Sequence, residues 1–429
     1  MQGRNLSGSG EAGGLVSSTA TYRGSMVSRS LSGEVHLVIE DGGLLAETTF
    51  ESSYLAYDRI RSITHLDYEI LIRMEEDETV INRLGDAGEW FFMELCESFN
   101  QKVQTVLQAK GPVLFEAKGP RYEYEDRQGN ACFRVFEDAV MLLPPNMDAR
   151  RLPLVFLSRL ESKDFTLTLR LRTGEQYSFS KFGENLEPFE RIISDEFRKM
   201  RSHHGDLIAS LDNSLGRGEV IEAAKIIPEG VAVFLSDVQS RFPSLAKVLD
   251  QMLLAGPIAE YYTALKEVGD YGKLAIGYKD LRGASEAETG EELPEEDAVV
   301  TEEEKPPPEE ESEPDVLPWA LWAVIPSKDH QKAIVEFAFP KEKAATYLFN
   351  TEGSYESFLM TLNRAFEASG FQREMLFLTD EQLDQAAYVN GRMLLERTPS
   401  LQTLRRLFSG RVIHRSLDSW KKNLAEQVG

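Results

Sequence analysis

The chain repeats itself. Residues Ile63 to Met74 read ITHLDYEILIRM, and Leu160 to Leu171, 97 positions later, read LESKDFTLTLRL. Both carry Asp followed by an aromatic residue, then Ile or Leu at alternate positions, then Arg and an apolar residue. Strict alternation is the period of a half-buried strand, so Tyr68, Ile70 and Ile72 share one face, as do Phe165, Leu167 and Leu169. The likeness runs on into a helix. Phe91, Leu95, Phe99 and Val103 fall at every fourth position, and Phe189, Ile193 and Phe197 do the same at an offset of 98. An apolar stripe of that spacing must be laid against another layer. Two copies of a strand-rich unit, each ending in one amphipathic helix, place the chain in the α+β class.

Upstream, ESSYLAY from Glu51 aligns with EDAVMLL from Glu137 at an offset of 86, which leaves 11 extra residues in the second copy around PPNMDARRLP. That stretch reads as an inserted loop displaying Arg150 and Arg151, a candidate partner-binding pair. The first copy predicts strands at GEVHLVIE, GLLAETTF, SYLAY, RIRSIT, DYEILIRM and ETVIN, with a hairpin turn at Asp41 to Gly43. The second predicts RYEYED, ACFRVFE, AVMLL, LVFLSRL, DFTLTLRLR and EQYSFS, with a Gly-Asn turn at Gly129. Six or seven strands in about 80 residues, followed by a helix whose Phe stripe can plug the open end of a bent sheet, resemble the pleckstrin-homology-like (PH-like) barrel. The resemblance covers about Ser30 to Met200 as two tandem barrels and rests on the order and pattern of elements. A generic α+β sheet with a packing helix is the alternative.

The expected organisation is a flexible Gly- and Ser-rich leader over residues 1–30, barrels over 31–109 and 110–202, and a helical region over 203–283. An acidic linker or loop follows at 284–317, then a C-terminal α+β region at 318–429. The last region repeats the Phe-x3-Leu-x3-Phe stripe at Phe358, Leu362 and Phe366. It is either a divergent third barrel, with LAIGYKDL from Leu274 pairing across the tract with Trp319 to Ile325, or an independent α+β domain. Trp319 and Trp322, beside the tract, are a second candidate binding pair.

Charge is concentrated. Asp and Glu number 71 against 47 Lys and Arg, a net of −24. The window 284–317 holds 15 acidic residues and one lysine, a net of −14, which leaves −10 for the remaining 395 residues. Such a segment cannot bury enough apolar surface to offset chain entropy. It reads as a spacer or as an anionic mimic that engages a basic partner. The acidic excess argues against binding to a phosphate backbone, which needs clustered cations. A basic segment from Gly391 to Lys422 carries eight Lys or Arg and could fold back on the tract.

Chemistry is sparse. There is no GxSxG, HExxH or finger-spaced Cys/His set, and Gly216 and Gly218 read as a helix start rather than a phosphate loop. No enzyme, cofactor or metal site is expected. His203 and His204 are expected to follow the second helix, and Cys96 and Cys132 to be free buried thiols. PH domains that bind phosphoinositides carry cations around the first hairpin. Here that hairpin has no Lys or Arg and holds Glu34, Glu40, Asp41 and Glu47, so lipid recognition is not expected. No apolar run is long enough to cross a bilayer, and the leader has no signal-like core. These features point to a cytoplasmic, non-enzymatic protein-interaction or scaffold protein. The alternative is a chaperone-like binder of a basic protein through the acidic tract, an order of parts distantly similar to histone-chaperone subunits.

Overall fold

The computed structural model describes residues 20–256, 258–280, 319–338, 345–414 and 416–428. The first 19 residues of the expected leader and the whole acidic tract lie outside this set. The chain divides into two compact units, Met1–Lys102 and Val103–Gly429.

In the first unit, β1 (Thr21–Val27), β2 (Ser32–Glu40), β3 (Gly43–Glu47), β4 (Ser52–Ala56), β5 (Ile60–Leu66), β6 (Glu69–Met74) and β7 (Glu78–Asn82) precede α1 (Gly88–Val106). The sheet runs β4-β3-β2-β1-β7-β6-β5. It is an open antiparallel sheet, with β4 and β5 as its two edges. Alternation sets its core. Val35, Leu37 and Ile39 of β2 and Ile70 and Ile72 of β6 are buried, while the residues between them are not. Phe91, Leu95 and Phe99 of α1 close over this face, with Phe91 edge-on to Tyr22 at 5.0 Å and Phe99 edge-on to Tyr57 at 5.8 Å. Each such buried side chain stabilises the unit by about 2 kcal/mol. The expected turn at Asp41 is present, with Glu40 opposite Gly43.

β1 corrects the expected leader. Thr21 to Val27 pair residue for residue with Val38 to Ser32 of β2, and the last three also pair with β7. Only Met26 of the strand is buried, so it carries little apolar signal.

The second unit opens on the same plan: β8 (Phe115–Tyr124), β9 (Arg127–Val135), β10 (Ala139–Leu143), β11 (Arg150–Pro153), β12 (Leu157–Lys163), β13 (Thr166–Leu171), β14 (Gln176–Ser180) and α2 (Leu186–Leu211). Its order, β11-β10-β9-β8-β14-β13-β12, matches the first sheet strand for strand. Three expectations change. The β8–β9 turn is at Glu125 and Asp126, because Tyr124 pairs with Arg127 and Gly129 lies inside β9 opposite Tyr122. AVMLL matches β3 rather than β4, and the supposed insertion contains β11, the true counterpart of β4. Finally, α2 runs through His203 and His204 to Leu211.

His204 is therefore inside a helix and buried. Burial, with help from His203 and Arg201, pushes its imidazole down to about 4 from 6.5, so the folded protein holds it neutral. The unfolded chain binds a proton that the folded one refuses between those two values. Stability should fall as pH drops from about 6.5 to about 4, by up to about 3 kcal/mol. His204→Leu is expected to remove this slope, which urea midpoints measured across the window for both proteins would reveal.

The remaining elements form one body rather than separate helical and C-terminal regions. They are α3 (Arg217–Ile226), β15 (Val233–Phe234), α4 (Leu235–Arg241), α5 (Pro243–Ala255), α6 (Ala259–Val268), β16 (Ala275–Asp280), β17 (Trp319–Pro326), β18 (Lys332–Ala338) and β19 (Ala345–Asn350). After them come α7 (Tyr355–Ala368), α8 (Glu374–Phe377), α9 (Asp380–Leu383), α10 (Val389–Arg397), α11 (Pro399–Leu407), β20 (Phe408–Ile413) and α12 (Leu417–Val428). The sheet is antiparallel with its strands in chain order from β15 to β20, helices linking β15 to β16 and β19 to β20, so it does not repeat the strand order of the first two. β16 pairs with β17 across the acidic tract, as the third-barrel reading expected. All eight residues of β17 are buried, the mark of a strand covered on both faces. Leu245, Leu249, Tyr262, Trp420 and Leu424 cover one side, and Phe358, Phe366 and Phe371 the other. Among the described residues no helix is long and apolar enough to cross a membrane.

Candidate functional site

The four residues singled out from the sequence end up in different settings, none of them a surface loop. Trp322 is buried with its ring against Phe371 at 4.9 Å, and Trp319 meets Tyr278 edge-on at 6.0 Å; both are core residues of β17. Arg150 and Arg151 are the first two residues of β11 and are equally buried, which overturns their reading as exposed loop charges. They line a cleft of about 370 Å³ between the second repeat and the helices α7, α10 and α11.

Two walls of unlike origin build the cleft. β8 and β14 contribute Tyr124 and Tyr177, stacked at 4.4 Å. The amphipathic α7 turns Ser357, Thr361, Arg364 and Ala368 into the cleft, the spacing of one helical face. Thr398, Pro399 and Ser400 bring the N-terminus of α11, where Thr398 is the N-cap and its side chain accepts no backbone N–H. A helix N-terminus contributes partial positive charge.

Three of the carboxylates neutralise two of the guanidinium groups. Arg151 Nη2 lies 2.6 Å from Asp138 Oδ2, and its Nη1 donates to Glu367 Oε1. Burial acts against this charge, but Glu367 and Asp138 outweigh it and raise the Arg151 pKa. Arg364 reaches Glu367 at 3.2 Å and Glu175 at 3.4 Å, and donates to the Arg151 carbonyl at 2.7 Å. These bonds lock β11 to α7 over 213 residues of sequence.

Arg150 is different. Its Nη1 donates to the carbonyls of Met147 and Ala149 at 2.8 and 2.9 Å, and its buried Nε has no acceptor. Among the described residues no carboxylate lies within ion-pair distance. Burial accordingly lowers its pKa, yet an arginine stays charged at neutral pH. The Tyr177 hydroxyl, close enough to feel both Arg150 and Arg364, is held protonated mainly by burial and reinforced by Glu175. It can donate but cannot act as a base near neutrality.

Elsewhere the second repeat offers no comparable centre. Its β8–β9 cations are paired: Arg134 with Glu116 at 2.7 Å, Lys118 with Glu116 at 3.7 Å, Arg121 with Glu123 at 3.2 Å and Arg127 with Asp148 at 3.0 Å. In the basic C-terminal segment Arg392, Arg405 and Arg406 pair with Asp384, Asp380 and Glu352 of the folded body. Gly216 opens α3, its N–H bonded to Glu219 at 2.8 Å. Among the described residues no group of three His, Cys, Asp or Glu could hold a metal ion, and both cysteines are free.

No family model matches this chain, and no curated protein matches it.

Proposed function

We propose that the chain is a cytoplasmic, non-catalytic binding protein built on two PH-like repeats, and that its cleft holds the anionic group of a ligand with an apolar or aromatic body. The observation that carries this reading is the buried guanidinium of Arg150, which has no carboxylate within ion-pair distance; Asp148 acts on it only from farther off and is already paired with Arg127. Burying a charge is costly unless something pairs with it. A ligand anion would supply the missing partner and accept from Tyr177. Leu107, Met360 and Leu394 line the same space and suit an apolar body. The lining carboxylate Glu175 is already taken up by Arg364 and Thr173, which favours holding a ligand over converting it. The scaffold role follows from the construction: one wall belongs to a repeat and the other to the C-terminal body, so a ligand would bridge them.

Titration calorimetry with phenyl phosphate and benzoate, against neutral benzamide, tests the proposal. The two anions are expected to bind and the amide not to. Arg150→Met should weaken anion binding by about 10- to 100-fold, the equivalent of one charge-assisted hydrogen bond. Equal affinity for benzamide, or an unaffected variant, would overturn the assignment.

A further inference from the structure

The two repeats share a second peculiarity, at the tip of the hairpin between the fifth and sixth strands. The two turn residues have positive φ in both copies: Asp67 at 53° and Tyr68 at 107°, Asp164 at 50° and Phe165 at 59°. Such two-residue turns favour Asn-Gly or Asp-Gly, because a bulky side chain at positive φ is strained. Glycine would serve the turn better than either aromatic. Nor does packing explain the choice, since Tyr68 is 92% and Phe165 87% exposed. Strain kept where folding does not need it points to a role outside the fold.

In the first unit the tip and the start of α1 lie at the same end of the sheet: the His65 ring lies 5.2 Å from Phe92, and Asn82 Nδ2 donates to Glu69 at 3.4 Å. Leu66 and Tyr68 are exposed at the tip, and Trp90 and Met93 on the first turns of α1, Trp90 at 70%. Segments 65–70 and 82–94 hold the exposed acids Asp67, Glu69, Asp86, Glu89 and Glu94 against one exposed cation, Arg83; Asp67, Asp86 and Glu89 have no ion pair among the described residues, and Glu94 accepts from the Tyr22 hydroxyl. The unit is strongly acidic as a whole: residues 20–102 hold 16 Asp and Glu against 7 Lys and Arg, a net of −9.

We infer that this end of the first unit is a docking face for a cationic amphipathic segment of a protein partner. Its Leu, Tyr, Trp and Met side chains would take the apolar stripe, and the carboxylates would meet Lys or Arg at the rim. An aromatic ring can also stack on a guanidinium. Charge decides against a lipid surface as the occupant, because anionic headgroups would meet Asp67, Glu69, Asp86 and Glu89. The face is separate from the cleft and does not depend on it.

The test uses the full-length chain and an amphipathic helical peptide of alternating Lys and Leu faces, with polylysine and anionic phosphatidylserine vesicles as controls. Trp90 provides the readout. Of the four tryptophans it alone is exposed, so quenching by acrylamide reports on it. The peptide is expected to shield Trp90 and shift its emission to the blue. Tyr68→Gly should weaken peptide binding about tenfold while raising the unfolding midpoint, since it removes strain. A merely structural role for Tyr68 would move the two together or leave binding alone. Met93→Glu should weaken binding with no gain in stability. The acidic tract is common to all these proteins, so differences between them report on the face. Equal shielding by polylysine, shielding by the vesicles instead of the peptide, or unchanged affinity in both variants would each overturn the inference.

Discussion

Replacing Gly277 by alanine is expected to destabilise the second unit by about 3 kcal/mol, an overpacking cost at the upper end for one added methyl. Gly277 pairs directly with Trp322 on the neighbouring strand. A Cβ built on it would lie 2.6 Å from the indole Nε1 and closer still to Cε2 and Cζ2. The ring cannot simply move away. Phe371 lies against it at 4.9 Å, and every residue of β17 is buried. Relief would require either a new Trp322 rotamer in a filled core or separation of β16 from β17, the pair that closes across the acidic tract. Trp322→Leu alone should also destabilise, by leaving a cavity. Combined, the two changes should cost about 2 kcal/mol less than their sum, because each relieves the other's defect. Denaturant midpoints read by far-UV circular dichroism for the four proteins complete the cycle. An alanine variant with the parent's midpoint would show that the contact is not the constraint described.

The repeat was legible because its signal is local. Asp-aromatic tips and i, i+4 phenylalanines sit within windows of a dozen residues and recur at nearly constant offset. β11 was not legible for the opposite reason. Arg150, Arg151, Leu152 and Pro153 are all buried, so the strand shows no alternation, and two adjacent arginines look like a solvated loop. The partner that lets Arg151 be buried is Glu367, 216 residues away, and nothing near RRLP announces it. The shifted alignment has the same origin: with β11 hidden, AVMLL falls opposite SYLAY rather than its counterpart β3, and only an insertion restores the offset. The length of α2 was recoverable. Ile193, Phe197, Met200, His204, Leu207 and Leu211 continue one helical stripe past the expected end at residue 202, and reading His204 as a core position would have carried it through. Similarly, β1 could have been found by asking what pairs with the free edge of β2, a question about the sheet rather than about TYRGSMV. The exposed face of the first unit was hidden by averaging: a modest net charge over all folded residues conceals −9 in 83 of them.

Glu367→Gln should cost about 3 kcal/mol, because one carboxylate serves two buried guanidinium groups and the amide would leave both short of charge. Asp138 would still hold Arg151 and Glu175 would still hold Arg364, which keeps the loss from being larger. The network is not expected to be a net source of stability, however. Desolvating charges is expensive, and apolar side chains of similar volume often do as well. The triple variant Arg151→Met, Arg364→Met, Glu367→Leu is therefore expected to be more stable than Glu367→Gln alone, with Asp138 and Glu175, both partly exposed, turning to solvent. What the charged set adds is orientation: it fixes β11 against α7 and so fixes where the Arg150 guanidinium faces. This separates stability from affinity. Glu367→Gln adds one net positive charge beside the cleft, so phenyl phosphate should bind it more tightly than the parent under conditions where both are folded. The triple variant, with its anchor gone, should bind less tightly despite its stability. If stability and phenyl phosphate affinity instead rise and fall together across these proteins, the arginines serve packing alone and the cleft is not an anion site.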